Sequence, residues 1–80
     1  FSTSGNIESQ YAIKNGKQIL LSEQLIVDCS HGCSDEPPYG QVCNQGCGGG
    51  WQWNAYIDIM SWGGLETEAQ YPYTGVDQDC

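Results

Sequence analysis

Positive charge is what this chain has least of. Arginine is absent, and Lys14 and Lys17 stand against ten acidic residues, for a net charge of −8. Nothing here neutralises phosphates, which excludes nucleic acid as a partner and disfavours anionic membrane surfaces for the same reason. No apolar run reaches the ~20 residues of a membrane span. A secretory leader pattern is missing, and the first residue is Phe1 rather than Met. That start reads as processing, cutting, or a piece of a longer protein. Internal repeats and low-complexity segments are also lacking. Histidine occurs once, at His31, in a stretch that reads as a solvated loop rather than a catalytic centre.

What the chain does have is cysteine and glycine. Eighty residues make one small domain, and a core of that size supplies only a few kcal/mol unless something staples it. Five cysteines are a high density for a reducing compartment and ordinary for an oxidising one. The count is odd, so at least one lacks a partner within the chain.

Local signals divide the chain into three helices and a long loop. Phe1 to Asn15 reads as a helix ended by Gly16, with Phe1, Ile7, Tyr11, Ala12 and the Lys14 stem on one side. It has no clear N-terminal cap. Ser22 caps a second helix over Glu23 to Cys29, and Glu23 suits the positive end of its dipole. Leu21 and Ile26 fit a hydrophobic staple, and Leu25, Ile26 and Cys29 form the expected buried side. Ser30 to Gly50 is glycine- and proline-rich and reads as loop. A loop of this length in a small domain is functional, crosslinked, or both. Trp51 to Trp62 reads as the third helix, with Trp51, Ala55, Ile59 and Trp62 on one face, ended by Gly63 and Gly64. Tyr71-Pro72-Tyr73 is extended, because a proline keeps its predecessor out of the helical region.

The cysteines allow two readings. Cys29 and Cys33 flank His31, and Cys43 and Cys47 repeat the same short spacing, which a zinc site of thiolates with or without imidazole can use. Disulfides fit better, because the short helices need staples and the composition suits an oxidising compartment. No other metal or cofactor signal is present.

Six motifs in order carry a family resemblance. They are Ser-Thr-x-Gly-Asn-Ile-Glu (Ser2 to Glu8), Leu-Ser-Glu-Gln-x-Ile-Val-Asp-Cys (Leu21 to Cys29), Gly-Cys-x-Gly-Gly (Gly46 to Gly50), Asn-Ala-Tyr (Asn54 to Tyr56), Gly-Gly-Leu-x-Thr-Glu (Gly63 to Glu68) and Tyr-Pro-Tyr (Tyr71 to Tyr73). Together they resemble the left-hand domain of a papain-like cysteine protease of the cathepsin L and F type. The additional Cys33 and Cys43 in a lengthened loop resemble plant and protist members. The implied fold is α+β and papain-like, with this segment as the mainly helical left-hand domain: about three helices and long disulfide-linked loops. The implied second, β-barrel-like domain lies outside residues 1–80.

The resemblance implies a Cys29–Cys80 bridge and a Cys33–Cys43 bridge. It also implies a partner for Cys47 just upstream of the family nucleophile, before Phe1. The implied nucleophile and oxyanion-hole Gln precede Phe1, and the catalytic His and Asn follow Cys80. The chain is therefore expected to hold no catalytic residue and to be inactive by itself. Its implied contribution is to binding. Gly50 would exchange backbone hydrogen bonds with the substrate residue two before the scissile bond. Gly49 would line the neighbouring wall, and Trp51 and Gln52 would border pockets for the second and third residues. A tight loop entering a helix is the plainer reading of Gly48 to Gly50, and a core position is the plainer reading of Trp51. Gly48 stands where Asn is common in the family. The implied partners are a peptide or protein substrate and the remainder of the protease, in a secreted, lysosomal or vacuolar setting. A non-catalytic module of the same fold and a small zinc module are the alternatives.

Overall fold

A computed structural model describes all of residues 1–80. Helix α1 covers Ser2–Asn15, α2 Glu23–Cys29 and α3 Gln52–Trp62. Their ends follow local chemistry. Gly16 closes α1 in the left-handed conformation (φ 68°), its N–H donating to the Ala12 carbonyl, and Gly63 closes α3 likewise (φ 83°). The Ser22 side chain accepts from the Leu25 N–H at the start of α2. The expected helices agree with these to within a residue at each end.

The long loop is more ordered than expected. Strands β1 (Cys33–Asp35) and β2 (Gln41–Cys43) pair antiparallel, with Cys33 opposite Cys43. A single 3-10 turn follows at Gly46–Gly48. Disulfides join Cys33 to Cys43 and Cys29 to Cys80, so three of the four sulfurs a zinc site would need are consumed. Cys47 keeps a free, exposed thiol.

The buried faces differ from the expectation. Only Leu21, Ala55 and Ile59 are buried apolar residues, against eight buried polar ones. On α1 the covered residues are Thr3 and Ser4, whereas Phe1 and Tyr11 are exposed. On α2 they are Gln24 and Asp28, with Leu25, Ile26 and Cys29 only half-buried. On α3, Ala55 and Ile59 face inward as expected, but Trp51 and Trp62 do not. The reason is that the elements meet through hydrogen bonds rather than apolar side chains. Ser4 Oγ lies 2.7 Å from Glu23 Oε2, joining α1 to α2. Ser30 Oγ donates to Asp58 Oδ2 at 2.7 Å, joining the end of α2 to α3. Small polar residues permit that close approach, and each buried polar group needs such a partner to avoid a desolvation cost of about 1–3 kcal/mol.

The C-terminal segment is held on α2 by the same means. Gln24 Oε1 accepts from the Thr74 N–H at 2.9 Å, and its Nε2 donates to the Val76 carbonyl at 2.8 Å. Asp28 accepts from the Tyr71 hydroxyl at 2.6 Å, from Gln24 Nε2 at 2.7 Å and from the Gln78 N–H at 3.0 Å. Burial pushes the Asp28 carboxyl up, but the hydrogen bonds from Tyr71, Gln24 and Gln78, with the nearby His31, outweigh it and leave it below its ordinary value. The same bond, aided by burial, raises the Tyr71 phenol.

Candidate functional site

The glycine loop sits between the hairpin and α3, and a buried asparagine organises it. Asn44 follows β2 and is held on three sides. Its N–H donates to the Gly32 carbonyl at 3.0 Å, its Nδ2 to Ser30 Oγ at 2.7 Å, and its Oδ1 accepts from the Trp51 N–H at 2.7 Å. That last bond satisfies one of the open N–H groups at the start of α3.

The three glycines before Trp51 are not equivalent. Gly48 has room: the nearest atom to an added Cβ is 3.5 Å away. Gly49 is required by conformation, with φ 108°. Gly50 is required by space, since an added Cβ would lie 2.5 Å from Asn44 Oδ1 and 3.3 Å from Asn44 Cα. Asn44 is pinned, so it cannot move aside without losing its bonds.

Their hydrogen-bonding groups differ as well. Gly49 donates to the Gly46 carbonyl and accepts from the Gln45 N–H, so both its groups are engaged. Trp51 donates to Asn44 and accepts from the Ala55 N–H, so both of its groups are engaged too. Gly50, between them, makes neither bond within the chain and is exposed. One residue with both groups open, flanked by residues with both closed, is the pattern one residue of an antiparallel partner strand requires.

Trp51 is extended (φ −124°, ψ 133°) and half-covered, its ring packed against Tyr39 from the hairpin at 5.7 Å between centroids. It is thus neither core nor a free pocket wall. Gln52 is exposed and its amide donates to Ser2 Oγ at 2.9 Å, which ties the start of α3 to the start of α1. Beneath the loop lies a cleft of about 420 Å³ lined by Phe1, Ile26, Val27, Asn44, Cys47 and Gly50, among others, a volume within the range of small-ligand sites.

Cys47 lies at the edge of that cleft. Its N–H donates to Asp77 Oδ1 at 2.8 Å and its sulfur lies 3.8 Å from the Gly75 carbonyl. Desolvation of the sulfur, then the charge and hydrogen bonding of Asp77, push its thiol up. A nucleophilic cysteine needs the opposite. His31 is exposed, with Nε2 2.9 Å from the Asp28 carbonyl and no thiol or carboxylate arranged around it as a catalytic set. The chain therefore leaves the Gly50 N–H and carbonyl open on a disulfide-stapled, mainly helical scaffold, and the pKa of its one free thiol is raised rather than lowered toward activation.

Two residues of the site were not evident from sequence: Asn44, which positions Gly50 and Trp51, and Tyr39, which backs Trp51. An asparagine amid glycines is a turn-former with a local bonding role, and that was the available signal for Asn44. Tyr39 had none, because its contact with Trp51 depends on the hairpin register.

The sequence model of the papain family cysteine proteases matches residues 1–80. The chain belongs to that family. It is 51% identical over 74 residues to cysteine proteinase 1 of Dictyostelium discoideum, covering 92% of this chain and 21% of that protein. It is 45% identical over 80 residues to cathepsin S of Mus musculus, covering all of this chain and 22% of that one. The crystal structure of the Amb a 11 cysteine protease, a major ragweed pollen allergen, in its proform, is similar with a TM-score of 0.81 at 34% identity, over all of this chain and 21% of that one. The chain thus spans about a fifth of the length of these relatives, and its fold is the mainly helical part of the papain-like architecture.

Proposed function

We propose that residues 1–80 form part of the left-hand domain of a cysteine endopeptidase and present the backbone edge on which a substrate peptide docks. The observation that carries this is the isolated pair of open groups at Gly50. A peptide residue opposite Gly50 gives its N–H to the Gly50 carbonyl and accepts from the Gly50 N–H, as an added strand does at a sheet edge. Glycine at this position lets the peptide approach closely. Gly49 supplies the bend that turns the edge outward, and Trp51 and Gln52 border the pockets for the second and third residues before the scissile bond.

Hydrolysis would follow the acyl-enzyme route. A thiolate elsewhere in the parent attacks the carbonyl, an imidazolium protonates the leaving amine, and water releases the acid. Helix α1 would lie under the attacking sulfur, its peptide dipoles favouring the thiolate. Cys47 would pair with a cysteine close to that nucleophile, and the cleft beside Phe1 and Cys47 would receive that stretch of chain. Two disulfides and the acidic composition fit a secreted, lysosomal or vacuolar setting.

The test uses the full-length parent protease and N-methylated peptide substrates. Methylating the N–H of the second residue before the scissile bond removes the donor to Gly50 and is expected to lower kcat/KM roughly 10-fold. Methylating the third residue, which faces Trp51 and uses no backbone bond there, is expected to cost little. Equal losses at both positions, or no alkylator-sensitive hydrolysis at all, would sink the reading.

A further inference from the structure

We propose that Tyr39, at the tip of the disulfide-bridged hairpin, is a specificity-determining residue: with Trp51 it forms a two-ring wall that favours a large side chain at the third substrate residue before the scissile bond. This rests on the peptide-docking reading above. If the second substrate residue exchanges both backbone bonds with Gly50, antiparallel pairing sets the preceding residue opposite Trp51. Such a non-hydrogen-bonded pair brings Cα atoms to about 4.5 Å, with side chains on one face and closer than elsewhere in a ladder. That Trp51 spends its own N–H on Asn44 and its carbonyl on Ala55 agrees with this position in the register.

Tyr39 enters because it is the ring against Trp51, at 5.7 Å and a tilt of 53°, while 70% of its own surface stays exposed. An exposed tyrosine on a mobile tip would contribute little, but this tip is fixed. The turn closes through the Glu36 N–H to the Gly40 carbonyl (2.8 Å) and the Tyr39 N–H to the Glu36 carbonyl (2.7 Å). The Cys33–Cys43 bridge clamps its base, and Asn54 of α3 donates to the Val42 carbonyl at 3.3 Å. The ring is thus held in place before a ligand arrives, which lowers the ordering cost of binding. Asp35 and Glu36 on the same tip set the field against acidic side chains.

The experiment compares substrates of the full-length parent that differ only at the third residue, Phe against Ala against Glu. Wild type is expected to rank Phe over Ala over Glu in kcat/KM. Tyr39→Ala is expected to lower the Phe-to-Ala ratio about 3- to 10-fold, in line with the loss of one aromatic partner. Tyr39→Phe should keep the ratio, and the Cys33→Ser/Cys43→Ser double variant should lower it in the same sense. The preference at the second residue should be unmoved in Tyr39→Ala, which a general loss of folding would not spare. An active parent whose Phe-to-Ala ratio is the same in wild type and Tyr39→Ala overturns this inference alone. A parent that hydrolyses no peptide overturns the docking reading and this inference with it.

Discussion

Three adjacent glycines make three different demands, and substitution separates them. Gly48→Ala makes only ordinary van der Waals contact with Gln45 on an unstrained backbone, so it should be neutral or stabilise by about 0.4–1 kcal/mol through the unfolded chain. Gly49→Ala forces a β-carbon into φ 108° and should cost about 1–3 kcal/mol. Gly50→Ala overlaps the pinned Asn44 and should cost a similar ~1–3 kcal/mol, and on the proposed docking it also crowds the approaching peptide. Denaturant midpoints give the stability ranking. Substrate kcat/KM in the parent distinguishes Gly50→Ala, which should lose at least as much in catalysis as Gly49→Ala. The motif Gly46 to Gly50 was legible in the sequence as a family signature. Which glycine serves space and which serves conformation was not, since that depends on Asn44 reaching back across the loop.

At the scale of elements, the grip of α2 on the C-terminal segment has a pH signature. Asp28 is held below its ordinary value of 3.8 in the folded chain. Its contribution is therefore fully present above that value and is lost as pH falls through the lower folded value. Thermal melts between pH 6 and pH 2 should show stability falling below about pH 4, and Asp28→Asn should flatten that part of the curve. Tyr71→Phe removes a hydrogen bond to a charged acceptor and should cost about 1.5–3 kcal/mol near neutral pH. The two substitutions share one bond, so their effects should combine to less than their sum. Helix limits were readable because Gly16, Ser22 and Gly63 act through bonds to near neighbours. The buried faces were not, because apolar periodicity points to Leu25, Ile26 and Trp62, whereas the contacts run through Gln24, Asp28 and Ser30. A polar residue announces its partner only when both ends are in place.

The whole molecule is a slab of 40 × 26 × 19 Å with few apolar residues inside. Its accessible surface of 5227 Å² exceeds the roughly 4800 Å² that scaling gives for this mass. Ile13, Leu20, Trp53 and Met60 lie on its outer faces. Stability should therefore depend heavily on the crosslinks. Opening Cys29–Cys80, 51 residues apart, should cost about 4 kcal/mol, against about 3 for Cys33–Cys43, 10 apart. Reductant should thus lower the melting temperature of the 80-residue chain sharply; an unchanged melt would show that the polar network suffices. The Cys47 thiol, raised by its surroundings, should react with iodoacetamide at neutral pH more slowly than an unstructured peptide thiol. Asp77→Asn should speed it.

The manner in which α2 holds residues 74–78 leaves a freedom at those positions. Gln24 and Asp28 grasp N–H and carbonyl groups of Thr74, Val76 and Gln78, which every amino acid except proline carries. The identities of those three side chains are not what is being read. A saturation library should accept almost any residue there while rejecting nearly all changes at positions 24 and 28. The strap is thus open to rewriting, for instance to carry a label or a reporter, without touching the clasp that holds it.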